Sequence, residues 1–263
     1  MYDFNYIQAK SIDEAAKSYG SASDGSYLAG GMTLIPTLKQ RLASPSDLID
    51  LAKIDDLTSI SVKGNSVRIG AMTRHAVVAS SAEVQKAIPA LAALAGGIGD
   101  PMVRNRGTMG GSIANNDPAA DYPSAVVGLG ATVHTSKRNI PGDEFFTGMF
   151  ETALEPGEIV TAVTYPVPDR AAYMKFPNPA SRYAIVGVFV SKTGANVRVA
   201  VTGAGPCVFR AEEMEKALAK DFSPKAIEAI KIAADGLNSD IHATADYRAH
   251  LVTVMAKRAV AAA

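Results

Sequence analysis

The stretch "DPMVRNRGTMGGSIANNDPAAD", Asp100 to Asp121, sets Gly107, Gly110 and Gly111 beside two arginines and follows them with acidic and amide side chains and proline turns. Glycine has no Cβ, so it lets the chain adopt positive φ and lets another group come close to the peptide plane. A second stretch of the same kind, "LAGGMTLIP", Leu28 to Pro36, puts Gly30 and Gly31 where a short apolar run ends. In both, backbone amides and the start of a following helix can meet a diphosphate, with Thr33, Thr108 and Ser112 as hydroxyl donors. Either glycine pair by itself also reads as an ordinary tight turn. The usual nucleotide motifs are missing. Gly97-Ile98-Gly99 runs on as Asp100-Pro101-Met102 and Gly203-Ala204-Gly205 as Pro206-Cys207-Val208, so neither completes GxGxxG, and no GxxxxGK followed by Ser or Thr occurs. A Rossmann or P-loop protein is therefore disfavoured.

Working outward, the first glycine turn lies inside a βαβ pattern. Ser26 to Ala29 reads as a strand, Thr33 as the cap of a helix through Arg41 with Pro36 in its first turn, and Asp47 to Leu51 as a second strand. Before it, Ser11 and Glu14 have capping-box spacing, with Gly20 as a stop. A second unit opens near Asp55 with a hairpin, SISV and SVRIG around Lys63-Gly64-Asn65, followed by helices over Thr73–Ser80 and Ala82–Ala95, the latter restarted by Pro89. After the opening stretch, Asp121 can cap a helix with Pro123 in its first turn, and ATVHTS and EIVTAVTYP read as strands. YPVPDR, Tyr165 to Arg170, is the best linker. Beyond it come two strands around Lys192 to Asn196 and three helices. The second of these is capped by Ser223-Pro224, and the last starts near Thr244 with a stripe of Tyr247, Leu251, Val254, Met255 and Arg258. The boundaries drawn are 1–54, 55–168 and 169–263.

Composition limits what this chain does. With 263 residues, 48% of them hydrophobic, it can bury a substantial core. Lys plus Arg equals Asp plus Glu at 26 each, so no global field favours nucleic acid or an anionic membrane. Cys207 is the only cysteine, which excludes an internal disulfide and a cysteine-ligated iron–sulfur cluster held by this chain alone. The N-terminus lacks the basic start and apolar core of a signal peptide and no run reaches membrane-spanning length, so the expected location is cytoplasmic, with peripheral attachment at the inner face of the membrane left open.

Taken in order, AGGMTLIPTLK, IGAMTRHAVVAS, IGDPMVRNRGTMGGSIANNDPAADYPSAVVGLGA, FFTGMFETALEPGEIVTAVTYP and KFPNPASRYAIVGV closely resemble the flavoprotein (medium) subunit of the molybdenum hydroxylases, the family of carbon monoxide dehydrogenase and xanthine dehydrogenase. The resemblance runs from about Tyr2 to the C-terminal helices and is most specific in RNRGTMGGSIANNDPAADYP. It implies an α+β fold, with a FAD-binding domain of the vanillyl-alcohol-oxidase type in two α/β subdomains followed by a small domain of antiparallel sheet and helices. It implies noncovalent FAD wrapped by Ala29, Gly30, Gly31, Met32 and Thr33 and by Thr108, Met109, Gly110, Gly111 and Ser112. By the same resemblance Asp121 binds a cofactor hydroxyl or fixes the loop that does, Ile98 and Val160 line the pocket, and Lys175 contacts the flavin. A solvated Lys175 and a purely capping Asp121 stay open as alternatives.

The partners so implied are a large molybdenum-binding subunit with a molybdopterin cofactor and a small subunit with 2Fe–2S clusters, assembled as a dimer of heterotrimers that reduces an external acceptor. The carbon monoxide dehydrogenase medium subunit is the specific member considered. A stand-alone FAD oxidase or dehydrogenase of the same fold and a non-catalytic assembly module are the alternatives. No catalytic residue and no metal site are assigned to this chain: His75, His134, His242 and His250 show no metal-ligand spacing. Cys207 reads as a small buried residue, Asp55-Asp56 and Asp143-Glu144 as solvated turn charges. Arg104 and Arg106 read first as makers of loop hydrogen bonds and second as phosphate ligands.

Overall fold

The computed structural model describes residues 1–263. Its first sheet is parallel, built from β1 (Asn5–Gln8), β2 (Gly25–Leu28) and β3 (Asp47–Asp50) in the order β1-β3-β2. Helix Ile12–Ser21 starts where Ser11 Oγ accepts the Glu14 N–H at 3.1 Å. Glu14 reaches back one residue further than a capping box requires and accepts the Lys10 N–H at 2.8 Å. Helix Leu34–Lys39 is shorter than the sequence suggests, because Arg41 turns out of it at φ +60°. Thr33 precedes that helix but is itself helical, and its side chain caps nothing. Ala9, Ala15, Ile49 and Leu57 anchor a small core under this sheet.

The second sheet is antiparallel. Its strands are β4 (Ile60–Lys63), β5 (Ser66–Gly70), β6 (Thr132–Thr135), β7 (Asn139–Pro141) and, after the short ribbon β8 (Phe146–Gly148) and β9 (Glu151–Thr152), β10 (Val160–Pro166). The order is β4-β5-β10-β6-β7. Gly64 at φ +55° closes the hairpin of β4 and β5, a conformation glycine takes at no steric cost. Three helices, His75–Ser80, Ala82–Ala87 and Pro89–Gly96, help fill the core, where Leu91, Leu94, Tyr122 and Tyr165 are fully or almost fully buried.

The third sheet runs β11 (Arg170–Pro177), β12 (Ala184–Thr193), β13 (Asn196–Thr202) and β14 (Phe209–Arg210), antiparallel throughout. Alternation along β12 sends Val186, Val188 and Val190 into a core shared with the last helix, while Phe189 points the other way into the central core and touches the Gly128 end of helix Tyr122–Gly128. A strand covered on both faces reads as an unbroken apolar run, as AIVGVFV does.

Four expectations change here. The segment after Ser223 is one 3₁₀ turn, Pro224–Ile227, although Ser223 does cap it. Helix Ala245–Ala262 buries Arg248, Leu251, Val252, Met255 and Ala259, whereas Tyr247 and Arg258 are exposed. The rotation follows from Arg248, whose guanidinium is drawn inward by the carbonyls of Ile185 and Gly203 and by Asp240. Asp143 stays exposed to solvent but opens the short helix Gly142–Phe145 and is partnered, pairing with Arg198 and lying 3.7 Å from Arg210. Cys207 is only partly buried. No helix is long and apolar enough to cross a membrane.

Candidate functional site

The two glycine turns meet. A Cβ on Gly30 would lie 2.1 Å from the Arg106 carbonyl oxygen and 2.8 Å from Gly107 Cα, so the first turn rests directly on the backbone of the second. A Cβ on Gly107 would lie 2.6 Å from His75 Nε2, and one on Gly110 would lie 2.4 Å from Ala71 Cβ, at the end of β5. Much of the room that these glycines free is thus taken by the protein itself, which brings loops of two sheets into contact. Gly31 has the other use of glycine, a left-handed backbone at φ +72°.

The turns differ in what their amides do. In the second, which is the start of helix Met109–Asn115, Met109 donates to Thr73 O at 3.0 Å, Gly110 to Ala71 O at 2.8 Å, and Gly111 to Oγ1 of the N-cap Thr108 at 3.2 Å, so this helix start is pinned internally. In the first, the N–H groups of Gly30, Gly31, Met32 and Thr33 donate to no acceptor of the chain. Four successive free amides around one left-handed residue make a concave donor set of the kind that binds phosphate oxygens. They open on a cleft of about 490 Å³ that draws on all three sheet regions, a volume in the range of cofactor pockets.

Ala29, Gly30, Gly31, Met32 and Thr33 line this cleft, as do Ile98, Thr108, Gly110, Gly111, Ser112, Asp121 and Val160. Met109 does not: its side chain is fully buried in the central core. Lys175 stands behind the wall, its Nζ 3.0 Å from Asp121 Oδ1 and 2.8 Å from the Gly97 carbonyl. It is a largely buried partner of Asp121 and not a solvated lysine. Asp121 precedes helix Tyr122–Gly128 but has helical φ and ψ and caps nothing. It accepts instead from Tyr173 Oη and Lys175 Nζ. Burial pushes its pKa up, and Lys175 and Tyr173 offset part of that rise. Arg104 shapes the rim by donating to Ile98 O and Gly99 O at 3.0 Å, while the exposed Arg106 contributes its carbonyl to the contact with Gly30. Neither arginine lines the cleft.

Other lining residues were not singled out from sequence. His75 is 4% exposed, and burial, reinforced by Arg104, lowers its pKa to about 4, so it is a neutral imidazole at neutral pH. Its Nδ1 has no partner. Asp117, whose pKa is raised by burial, and the segment Ala180–Tyr183, with Arg182 at φ +62°, close another side. A lone histidine without a ligand spacing gives no signal in the sequence, and the 180–183 loop joins the cleft only through the third sheet.

Residues 2–168 match the family model described as FAD binding domain in molybdopterin dehydrogenase, and residues 171–263 that of the CO dehydrogenase flavoprotein C-terminal domain. The chain is 36% identical to the carbon monoxide dehydrogenase medium chain of Hydrogenophaga pseudoflava, over 99% of this chain and 96% of that one. It is 35% identical to the nicotine 6-hydroxylase medium subunit of Paenarthrobacter nicotinovorans, over 97% and 95%. Among solved structures, carbon monoxide dehydrogenase from H. pseudoflava lacking the Mo-pyranopterin moiety superposes with a TM-score of 0.91 at 36% identity, covering 100% of this chain and 97% of that one. A free-amide turn over a cofactor-sized cleft, in a chain matched from end to end by these models, leaves one assignment: the protein belongs to the family of FAD-binding medium subunits of the molybdenum hydroxylases.

Proposed function

We propose that this chain holds FAD noncovalently in the cleft and carries electrons from 2Fe–2S clusters of a small partner subunit to an external acceptor, the electrons originating at a molybdopterin cofactor in a large subunit. The observation that carries this reading is the set of free amides at Gly30 to Thr33, because a diphosphate is the part of FAD that needs such a donor set. When bound, FAD supplies a carrier of electron pairs that also accepts electrons singly. The residues of this chain do the rest. The amides from Gly30 to Thr33 meet negative charge without a cationic side chain, and Thr108 and Ser112 add hydroxyls on the opposite turn. Asp121, held between Tyr173 and Lys175, presents a fixed acceptor to a hydroxyl. His75 stays neutral, so it places no positive charge against the cofactor.

The chain has one cysteine, too few to ligate a 2Fe–2S cluster by itself, so the clusters that feed the flavin would sit in a partner. That single cysteine also suits the reducing cytoplasm, where we place the complex. A dimer of heterotrimers is the assembly we expect, and a carbon monoxide dehydrogenase is the specific holoenzyme we favour. Purifying the native complex and following flavin bleaching on addition of its substrate tests the reading. Reduction of this chain's flavin only when the iron–sulfur subunit is present supports it. Full flavin reduction by substrate in the isolated chain overturns it in favour of a stand-alone dehydrogenase.

A further inference from the structure

His75 is the one histidine that lines the cleft, and it does so while only 4% exposed. Neither ring nitrogen has a hydrogen-bond partner in the chain, yet the two are not alike. Nδ1 is sealed in the central core, where the ring packs against Tyr122 with centroids 5.4 Å apart. Nε2 keeps what surface the ring has and lies beside Gly107, where a Cβ would come within 2.6 Å of it. Gly107 itself lines the cleft, and a Cβ on Gly30 would lie 2.8 Å from its Cα. One glycine thus stands between the free-amide turn and an unpartnered imidazole nitrogen.

The position of the ring proton selects the ligand atom. Burial, reinforced by Arg104, keeps His75 neutral at neutral pH, and a neutral imidazole has one N–H and one lone pair. Orphaned N–H groups are the rarest of buried polar groups, so the lone pair belongs on the sealed Nδ1 and the proton on Nε2, where a ligand can meet it. A hydroxyl of the cofactor could be served by a bare nitrogen, whereas a phosphate oxygen only accepts and needs the proton at Nε2. We propose that the Nε2–H of His75 donates to a diphosphate oxygen of the cofactor, an inference that rests on FAD being held in the cleft. The contact adds a side-chain donor to the amides of Gly30 to Thr33 from the far side of Gly107. It does so without burying a cation, which would cost far more than burying a neutral ring.

The test uses the full chain with ¹⁵N-labelled histidines and FAD as the probe. In the FAD-loaded wild type, long-range proton–nitrogen correlation spectra should show His75 protonated at Nε2 and bare at Nδ1, with the Nε2 resonance moving on loading. FAD is then titrated into three variants by flavin fluorescence, with thermal unfolding to show that each is folded. His75→Gln, whose amide nitrogen can stand where Nε2 does, should bind within about threefold of wild type, whereas His75→Asn, which reaches only the Nδ1 position, and His75→Leu should bind about 10- to 150-fold more weakly. The ³¹P resonances of bound FAD should be displaced in the two weak variants and not in His75→Gln. A proton on Nδ1, wild-type affinity in folded His75→Asn and His75→Leu, or a folded His75→Gln as weak as His75→Leu overturns the proposal. The wild-type spectrum decides alone where a variant does not fold. If wild type retains no FAD, the reading of the cleft falls first; if FAD is stoichiometric and the Nε2 resonance does not respond to it, only the His75 contact falls.

Discussion

Replacing Gly30 by alanine is the most informative single perturbation of the cleft. The new Cβ would sit 2.1 Å from the Arg106 carbonyl oxygen, where ordinary contact begins at 3.4 Å, so the turns must part by roughly 1.3 Å, the difference of the two. Backbone blocks backbone here, and no rotamer change relieves it. A hydrogen bond of about 2.9 Å stretched by that amount is no longer a bond. Losing two amide-to-phosphate bonds of about 1.5–3 kcal/mol each weakens FAD binding by about 3–6 kcal/mol, on the order of a hundredfold to ten-thousandfold. Overpacking costs the fold itself about 1–3 kcal/mol. Titrating apoprotein with FAD by flavin fluorescence, alongside thermal unfolding, separates the two effects. Gly20→Ala, where a Cβ meets nothing within 4 Å, is the control and should bind FAD as wild type does. A folded Gly30→Ala chain with a dissociation constant within threefold of wild type would refute the claim that the contact of the two turns sets the cofactor site.

Two further outcomes follow from the buried ionisable groups. Lys175→Met leaves Asp121 buried without its counter-charge and should cost about 3–5 kcal/mol in urea unfolding, most of it recovered by adding Asp121→Asn; an unchanged midpoint in the single variant would contradict the pairing. His75 titrates near its ordinary 6.5 when unfolded and at about 4 when folded, so the unfolded chain binds more protons between those values. Stability should be full above pH 6.5 and fall as pH drops toward 4, by on the order of 3 kcal/mol. The slope of the urea midpoint over that window should flatten in His75→Gln, and an equal slope would show that His75 is not the group responsible.

Local chemistry was legible and long-range chemistry was not. The glycine turns, the βαβ unit and the hairpins at Gly64 and Gly194 could be read because each depends on a few adjacent residues, with positive φ at Gly31, Gly64 and Gly194. That the Gly30 turn would press against Arg106 and Gly107 could not, because it takes the folded chain to bring those loops together. The same holds for Asp121, whose spacing before Pro123 reads as a helix cap until Tyr173 and Lys175 arrive from a strand more than fifty residues on. That strand, β11, was itself hidden: it lies at the edge of its sheet, mostly half-buried, without the apolar run that marks β12. The family resemblance supplied the list of lining residues, and the geometry divides them into the free-amide turn, the pinned turn that supports it and the buried pair behind them.

A crystal structure of the chain loaded with FAD should show diphosphate oxygens within about 2.7–3.2 Å of the N–H groups between Gly30 and Thr33. A diphosphate bound instead by the side chains of Arg104 and Arg106, or FAD seated outside the cleft between the two turns, would contradict that placement.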